Sequence, residues 1–187
     1  MVKIFVFLAA GFEETEALAP TDVLRRAGFE TVLVSVMGQL AVTGSHGITV
    51  MADSLFEETD FSEGIMLVLP GGMPGTRNLE GYSPLISLID KFAKEGKKLA
   101  AICAAPSIFG NMGLLKGKEA TCYPGYEDTL KGAEFKKENV VVSGQFVTAR
   151  GAAVSVEFGL RLLEVLLSRD RAVNMSYKMV YTYPLSW

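Results

Sequence analysis

Histidine occurs once in these 187 residues, at His46, and cysteine only twice, at Cys103 and Cys122. Two cysteines cannot build a disulfide framework, and such sparse usage points to a reducing cytoplasm. No Cys/His cluster stands at metal-ligand spacing, so neither a metal nor another cofactor is expected. Excess charge is lacking too: 18 Lys and Arg face 21 Asp and Glu, a net charge of −3. That balance gives no electrostatic footprint for nucleic acid or an anionic membrane. No apolar run approaches the ~20 residues of a transmembrane helix. The start, Met-Val-Lys-Ile-Phe-Val-Phe-Leu-Ala-Ala, has a faint signal-peptide character. The acidic Gly11-Phe12-Glu13-Glu14-Thr15-Glu16 that follows suits a first strand and loop better than a cleavage site. Repeats, low-complexity stretches and linkers are absent, and the length suits one α/β domain over 1–187.

What the chain does have is alternation. Strand-like runs rich in Val, Ile and Leu fall at 3–8, 31–36, 65–69, 99–102, 119–122, 140–143 and 146–149. Helical patterns fall at 15–27, 84–94, 104–114 and 154–167. Near-continuous apolar strands, most followed by helices, imply a parallel sheet covered on both faces. The runs 40–42 and 48–51 flank Thr43-Gly44-Ser45-His46-Gly47, which reads as a small hairpin. The pattern over 154–167 is apolar nearly all round, so that helix belongs in the core or in a dimer interface. The tail 177–187 holds three tyrosines and the only tryptophan, and should pack on the body or a partner.

In open α/β sheets ligands bind beyond the carboxyl ends of the strands. Three segments leave the sheet there: 9–16, Pro70-Gly71-Gly72-Met73-Pro74-Gly75, and the junction at Cys103. Cys103 follows the apolar run 99–102 and precedes a helix with Pro106 in its first turn. Unpaired N–H groups at a helix start favour thiolate, which predicts a lowered thiol pKa. A buried cysteine acting as a small hydrophobe is the alternative reading. Of Glu13, Glu14 and Glu16, at least two are explained as acids complementing the helix dipole. Glu16, one turn inside the helix, is best placed to act as a neutral acid beside the sulfur. A glycine at Gly72 lets a backbone N–H approach a substrate oxygen, and with the Ala104 N–H it would form an oxyanion hole. His46 sits in the hairpin, so a Cys–His dyad, and with it ordinary cysteine proteolysis, is not expected. Cys122 reads as core, with resolution of an oxidised Cys103 as the alternative.

Taken in order, several segments resemble the ThiJ/PfpI superfamily, in the branch of the parkinsonism-associated deglycase and its bacterial relatives. They are Gly11-Phe12-Glu13-Glu14-Thr15-Glu16, Asp22-Val23-Leu24-Arg25-Arg26-Ala27-Gly28, Leu69-Pro70-Gly71-Gly72, Ala101-Ile102-Cys103-Ala104-Ala105-Pro106 and Thr148-Ala149-Arg150-Gly151. The resemblance implies a flavodoxin-like three-layer sandwich, with a mostly parallel sheet, helices on both faces and a small hairpin, and a homodimer. It implies Cys103 as nucleophile, Glu16 as its protonated partner, and the Gly72 and Ala104 N–H groups as the oxyanion hole. Tyr123, Arg26 and Arg150 would line the site. The protease-like branch carries a histidine directly after the cysteine, where this chain has Ala104. Many members also carry His-Pro where this chain has Tyr123-Pro124, and a tyrosine with a pKa of about 10 is a poor base at neutral pH.

These readings converge on a cofactor-free, cysteine-dependent enzyme of the glyoxalase III or deglycase kind. Its substrates would be reactive dicarbonyls such as methylglyoxal, or their protein and thiol adducts. An oxidative-stress sensor or redox-regulated chaperone working through oxidation of Cys103 is the alternative, and a binding module with a vestigial site is the third.

Overall fold

The computed structural model describes residues 2–182. In chain order the elements are β1 (Lys3–Leu8), α1 (Glu14–Arg26), β2 (Glu30–Ser35), the hairpin strands β3 (Ala41–Thr43) and β4 (Thr49–Met51), and β5 (Ser54–Leu55). There follow β6 (Gly64–Leu69), α2 (Gly75–Gly81), α3 (Ser83–Lys94), β7 (Lys98–Ile102) and α4 (Pro106–Asn111). The chain continues through β8 (Glu119–Ala120), β9 (Glu134–Phe135), β10 (Val140–Ser143), β11 (Phe146–Ala149), α5 (Ser155–Leu166) and α6 (Arg169–Lys178).

Seven strands form the central sheet in the order β10-β11-β7-β6-β1-β2-β5. All neighbours run parallel except β10 and β11, which pair antiparallel across Ser143 and Phe146. Strand β1 shows why the sheet is a middle layer. Ile4 to Leu8 are all completely buried, which requires cover on both faces. Because side chains alternate along a strand, Phe5 and Phe7 join a core with Leu85, Ile89, Phe92 and Phe109 from α3 and α4. Ile4, Val6 and Leu8 join the opposite core with Ala17 and Leu24 of α1 and Phe158 and Leu162 of α5. The three-layer α/β architecture with a small hairpin is therefore present as expected.

Helix α5 lies in the core, against α1. The contact is close: a Cβ at Gly159 would lie 2.9 Å from Pro20 Cα and 2.9 Å from Val23 Cγ2. Cys122 is fully buried among the α3/α4-side residues, in agreement with its packing role. Two helices have no counterpart in the sequence reading, α2 and α6, and α4 is shorter than the 104–114 pattern suggests. The expected packing of the aromatic tail holds for Tyr181, which sits against Val23, Leu160, Leu163 and Met175, while Tyr177 is exposed. Trp187 lies outside the described residues.

Candidate active site

The carboxyl ends of β1, β6 and β7 bring three loops together. Phe12 N–H donates to Ala9 O, Glu13 N–H donates to Gly71 O at 2.9 Å, and Gly75 N–H donates to Gly11 O at 3.1 Å. The loop after β1 is thus stitched to the loop after β6. Gly71 is pressed against the third segment, since a Cβ there would lie 2.7 Å from Cys103 Cβ, 2.8 Å from Glu16 Oε2 and 2.9 Å from Ile102 O.

Cys103 stands at the turn between β7 and α4 with φ at 66°, in the left-handed region that a residue with a Cβ enters only at a cost. Its two peptide groups hold it there. Cys103 N–H donates to Ala149 O at 2.9 Å, and its carbonyl accepts the Tyr123 N–H at 2.8 Å. The Ala104 and Gly72 N–H groups both hydrogen-bond the sulfur. Gly72 has φ at 85°, and a Cβ there would lie 2.4 Å from Glu13 N, so no other residue fits this donor position.

Glu16 is fully buried. Its Oε2 accepts the Gly71 N–H at 2.8 Å, and its carboxyl is coupled to Cys103 by a side-chain hydrogen bond. Oε1 is buried without a hydrogen-bond partner. Burial raises the Glu16 carboxyl to about 7; the bonds from Cys103 and Gly71 oppose this rise, and the Glu13 charge adds to it. Burial likewise pushes Cys103 up to about 12, helped by the Glu16 charge and hydrogen bond, against the Ala104 and Gly72 N–H groups.

The lowered thiol pKa expected from the helix start is therefore corrected. Helix α4 has only six residues and begins at Pro106, beyond the cysteine. Two backbone donors do not outweigh desolvation and an adjacent carboxylate. At rest the sulfur is a thiol, and the group that titrates near neutral pH is the carboxyl beside it.

The remaining residues named from the sequence separate. Tyr123 and Arg150 meet: with Pro124, Asn139 and residues 151–154 they line an open cavity of about 390 Å³. Arg26 does not join them. It ends α1, about 15 Å along the helix from Glu16 at about 1.5 Å per residue. There its Nε pairs with Asp22 Oδ2 at 2.6 Å, and it borders a small cavity with Arg171 and Lys178.

His46 makes no bond to the sulfur. Its Nδ1 lies 2.9 Å from Glu14 Oε2 and 3.3 Å from Glu13 Oε2. Glu14 does more than complement a helix dipole. Its carboxylate accepts from the His46 N–H at 2.8 Å and the Ile48 N–H at 3.3 Å, fastening the β3–β4 hairpin to the start of α1. Burial opposes its ionisation, but the His46 ring and these N–H groups outweigh that and hold it at about 2. The bond to Glu14 and the two carboxylate charges raise His46 above its ordinary value. Glu13, Glu14 and His46 each place one possible metal-ligand atom within 4.8 Å of the others, an arrangement that their separation in sequence conceals. Both Glu14 oxygens are already satisfied without a cation.

Gly71 was missed in the sequence reading. The Pro-Gly-Gly run suggested one donor to the substrate oxygen, whereas it supplies two donors with different targets, Gly71 to the carboxyl and Gly72 to the sulfur side.

The chain is 39% identical over 180 residues to Protein DJ-1 homolog B of Arabidopsis thaliana, covering 95% of this chain and 41% of that protein. It thus spans less than half the length of that relative. A protein of Pyrococcus abyssi named as a deglycase is 35% identical over 151 residues, 80% of this chain and 90% of its own. Among solved structures, oxidized DJ-1 of Toxoplasma gondii superposes with a TM-score of 0.93 at 35% identity, covering 98% of this chain and 100% of that one. No helix among the described residues is long and apolar enough to cross a membrane. The family described as DJ-1/PfpI matches residues 2–165, and with these relatives that match establishes that the chain belongs to the DJ-1/PfpI family.

Proposed function

We propose that the chain is a cofactor-free enzyme that converts reactive dicarbonyls such as methylglyoxal, or their thiol and amine adducts, through Cys103. One observation carries this reading: a thiol, a carboxyl that titrates at about 7, and two backbone N–H donors converge on one crevice. Relatives named as deglycases support the same class of chemistry.

The paired acidities support these roles. Near neutral pH Glu16 is about half ionised, which suits a general base. It takes the Cys103 proton as sulfur adds to the aldehyde carbon, and the new oxyanion is received by the Gly72 and Ala104 N–H groups. Protonation of that oxygen gives a hemithioacetal. Glu16 then moves the proton of the former aldehyde carbon to the neighbouring carbonyl oxygen, giving an enediol, and the hydroxyl proton of the first carbon passes to the second carbon. The first carbon is oxidised to a thioester as the second is reduced to an alcohol. Water cleaves the thioester, releasing lactate and restoring the thiol, so that methylglyoxal and one water balance one lactate. Tyr123 contributes at most a hydrogen bond in this scheme.

The test is lactate formation from methylglyoxal by wild type, Cys103→Ser and Glu16→Gln. The expected result is steady turnover by the wild type and a loss of at least about a hundredfold in each variant. The wild-type rate should rise with pH through about 7, as Glu16 ionises. A wild type no faster than its variants ends this reading. A mass gain of two oxygens at Cys103 after mild peroxide would then favour the oxidation-sensor account.

A further inference from the structure

Arg26, which stands apart from Cys103, borders a cavity of about 90 Å³ shared by the end of α1, α5 and α6. Three cations line it, Arg26 from α1 and Arg171 and Lys178 from α6, and no carboxylate does. Arg171, Asn174 and Lys178 follow one another at intervals of three and four residues, so they share one face of α6. Among the described residues, none of these three side chains has a hydrogen bond or an ion pair. Arg26 is held differently, since Asp22 Oδ2 accepts its Nε at 2.6 Å and leaves its two Nη groups free to donate. The buried Leu163 and Met175 complete the lining, apolar surface beside which a charge pair is less screened than in water. In a chain of net charge −3, Arg171 and Lys178 thus share a cleft with a third cation and have no counter-ion. Like charges gathered around one cleft repel one another and focus a positive potential there, which draws an anion. The volume is well below the about 300–1,000 Å³ that encloses a whole ligand, so the cavity fits one small headgroup. A carboxylate would be satisfied by one guanidinium. A phosphate monoester brings close to two negative charges and three acceptor oxygens, enough for both arginines and the lysine.

We propose that this cavity is a second ligand site, which takes the phosphate monoester group of a small molecule or of a lipid headgroup. Arg26 of α1 and Arg171 of α6 each offer a guanidinium fork to its oxygens. Lys178 adds a point charge, and the Asn174 amide donates a neutral hydrogen bond. The remainder of the ligand extends into solvent, because the cavity has room for the headgroup alone. The site lies outside the Cys103 crevice and does not depend on the dicarbonyl reading.

The probe is glycerol 3-phosphate, titrated into isotope-labelled protein and followed by amide NMR, with sodium chloride of equal ionic strength as the control. Shifts are expected at Ala27, Leu163 and residues 171–178, saturating with the phosphate ester and absent with chloride. Arg171→Gln combined with Lys178→Gln keeps good helix formers in α6 and should weaken binding at least about tenfold. Shifts centred elsewhere, an equal response to chloride, no saturation, or an affinity unchanged in the double variant overturns the proposal. Vesicles of phosphatidylcholine with and without phosphatidic acid then separate the two sources of the group. Sedimentation with the phosphatidic acid vesicles that is lost in the double variant assigns the group to a lipid. Saturable binding of the ester without sedimentation assigns it to a soluble molecule. None of these measurements involves turnover at Cys103, so this proposal and the lactate assay stand or fall separately.

Discussion

Glu16 makes the fold less stable as the solution becomes more basic. Its carboxyl titrates at about 7 in the folded protein, against an ordinary value of 4.5, because burial favours the neutral form. Below pH 4.5 both folded and unfolded chains hold the proton, and the group costs nothing. Between 4.5 and 7 the unfolded chain releases its proton while the folded chain keeps it, so stability falls across that window and is flat above it. At about 1.4 kcal/mol per pH unit the full loss is about 3 kcal/mol. Glu16→Gln keeps an acceptor for the Gly71 N–H and removes the charge. Urea unfolding should therefore find this variant close to wild type at pH 4.5 and more stable, by up to about 3 kcal/mol, at pH 8. Parallel behaviour at the two pH values would refute the assignment. At this scale the sequence was informative about Cys103, Glu16, Gly72 and Ala104, whose types and positions after strands carry their chemistry. It was silent on the sign of the thiol shift. That sign comes first from burial of the thiol and then from the Glu16 carboxyl beside it, and spacing along the chain encodes neither.

Among the elements, the α1–α5 pair is tightly constrained. Gly159 lets the two helices meet at Pro20 and Val23, and neither the Pro20 backbone nor a β-branched valine yields easily. Gly159→Ala should cost about 1–3 kcal/mol from overpacking, in spite of alanine's better helix propensity. Denaturant midpoints would measure it, and a stabilised variant would show that the helices can separate. Because α1 carries Glu16, the same substitution should lower turnover more than its stability loss accounts for. The legibility of elements follows their apolar patterns. Strands β1, β10 and β11 run just where the Val, Ile and Phe runs fall, since burial on both faces leaves little freedom for other residues. Helix α2, Gly75–Gly81, is bounded by glycines and has too few apolar residues for a periodic signal. Helix α6, Arg169–Lys178, buries only Ala172, Met175 and Ser176, and a face that narrow resembles a solvated loop when read as sequence. Arg26 was misjudged for a related reason: its motif lies in the same helix as Glu16, but at the opposite end.

For the molecule as a whole, the Glu14–His46 contact fastens the hairpin to the start of α1, and Leu18 of that helix and Ile48 and Met51 of the hairpin are exposed. Exposed apolar side chains on two joined elements are what an interface would cover, and we expect two copies of the chain to pair through them by a two-fold axis. Light scattering should give twice the 20.2 kDa chain mass for the wild type and a single chain mass for Met51→Glu combined with Ile48→Glu. A monomeric wild type would rule the dimer out. The sheet itself sets a limit on how such copies can meet. It ends on one side at β5, a strand of only two residues, and on the other at β10, where Glu119 N–H donates to Ser143 Oγ and β8 lies against the strand. Neither border offers a long row of free N–H and C=O groups, so a strand from another molecule finds almost nothing to template on. Crowded copies can stick by their side chains, but the route by which sheets extend into fibrils is closed at both ends.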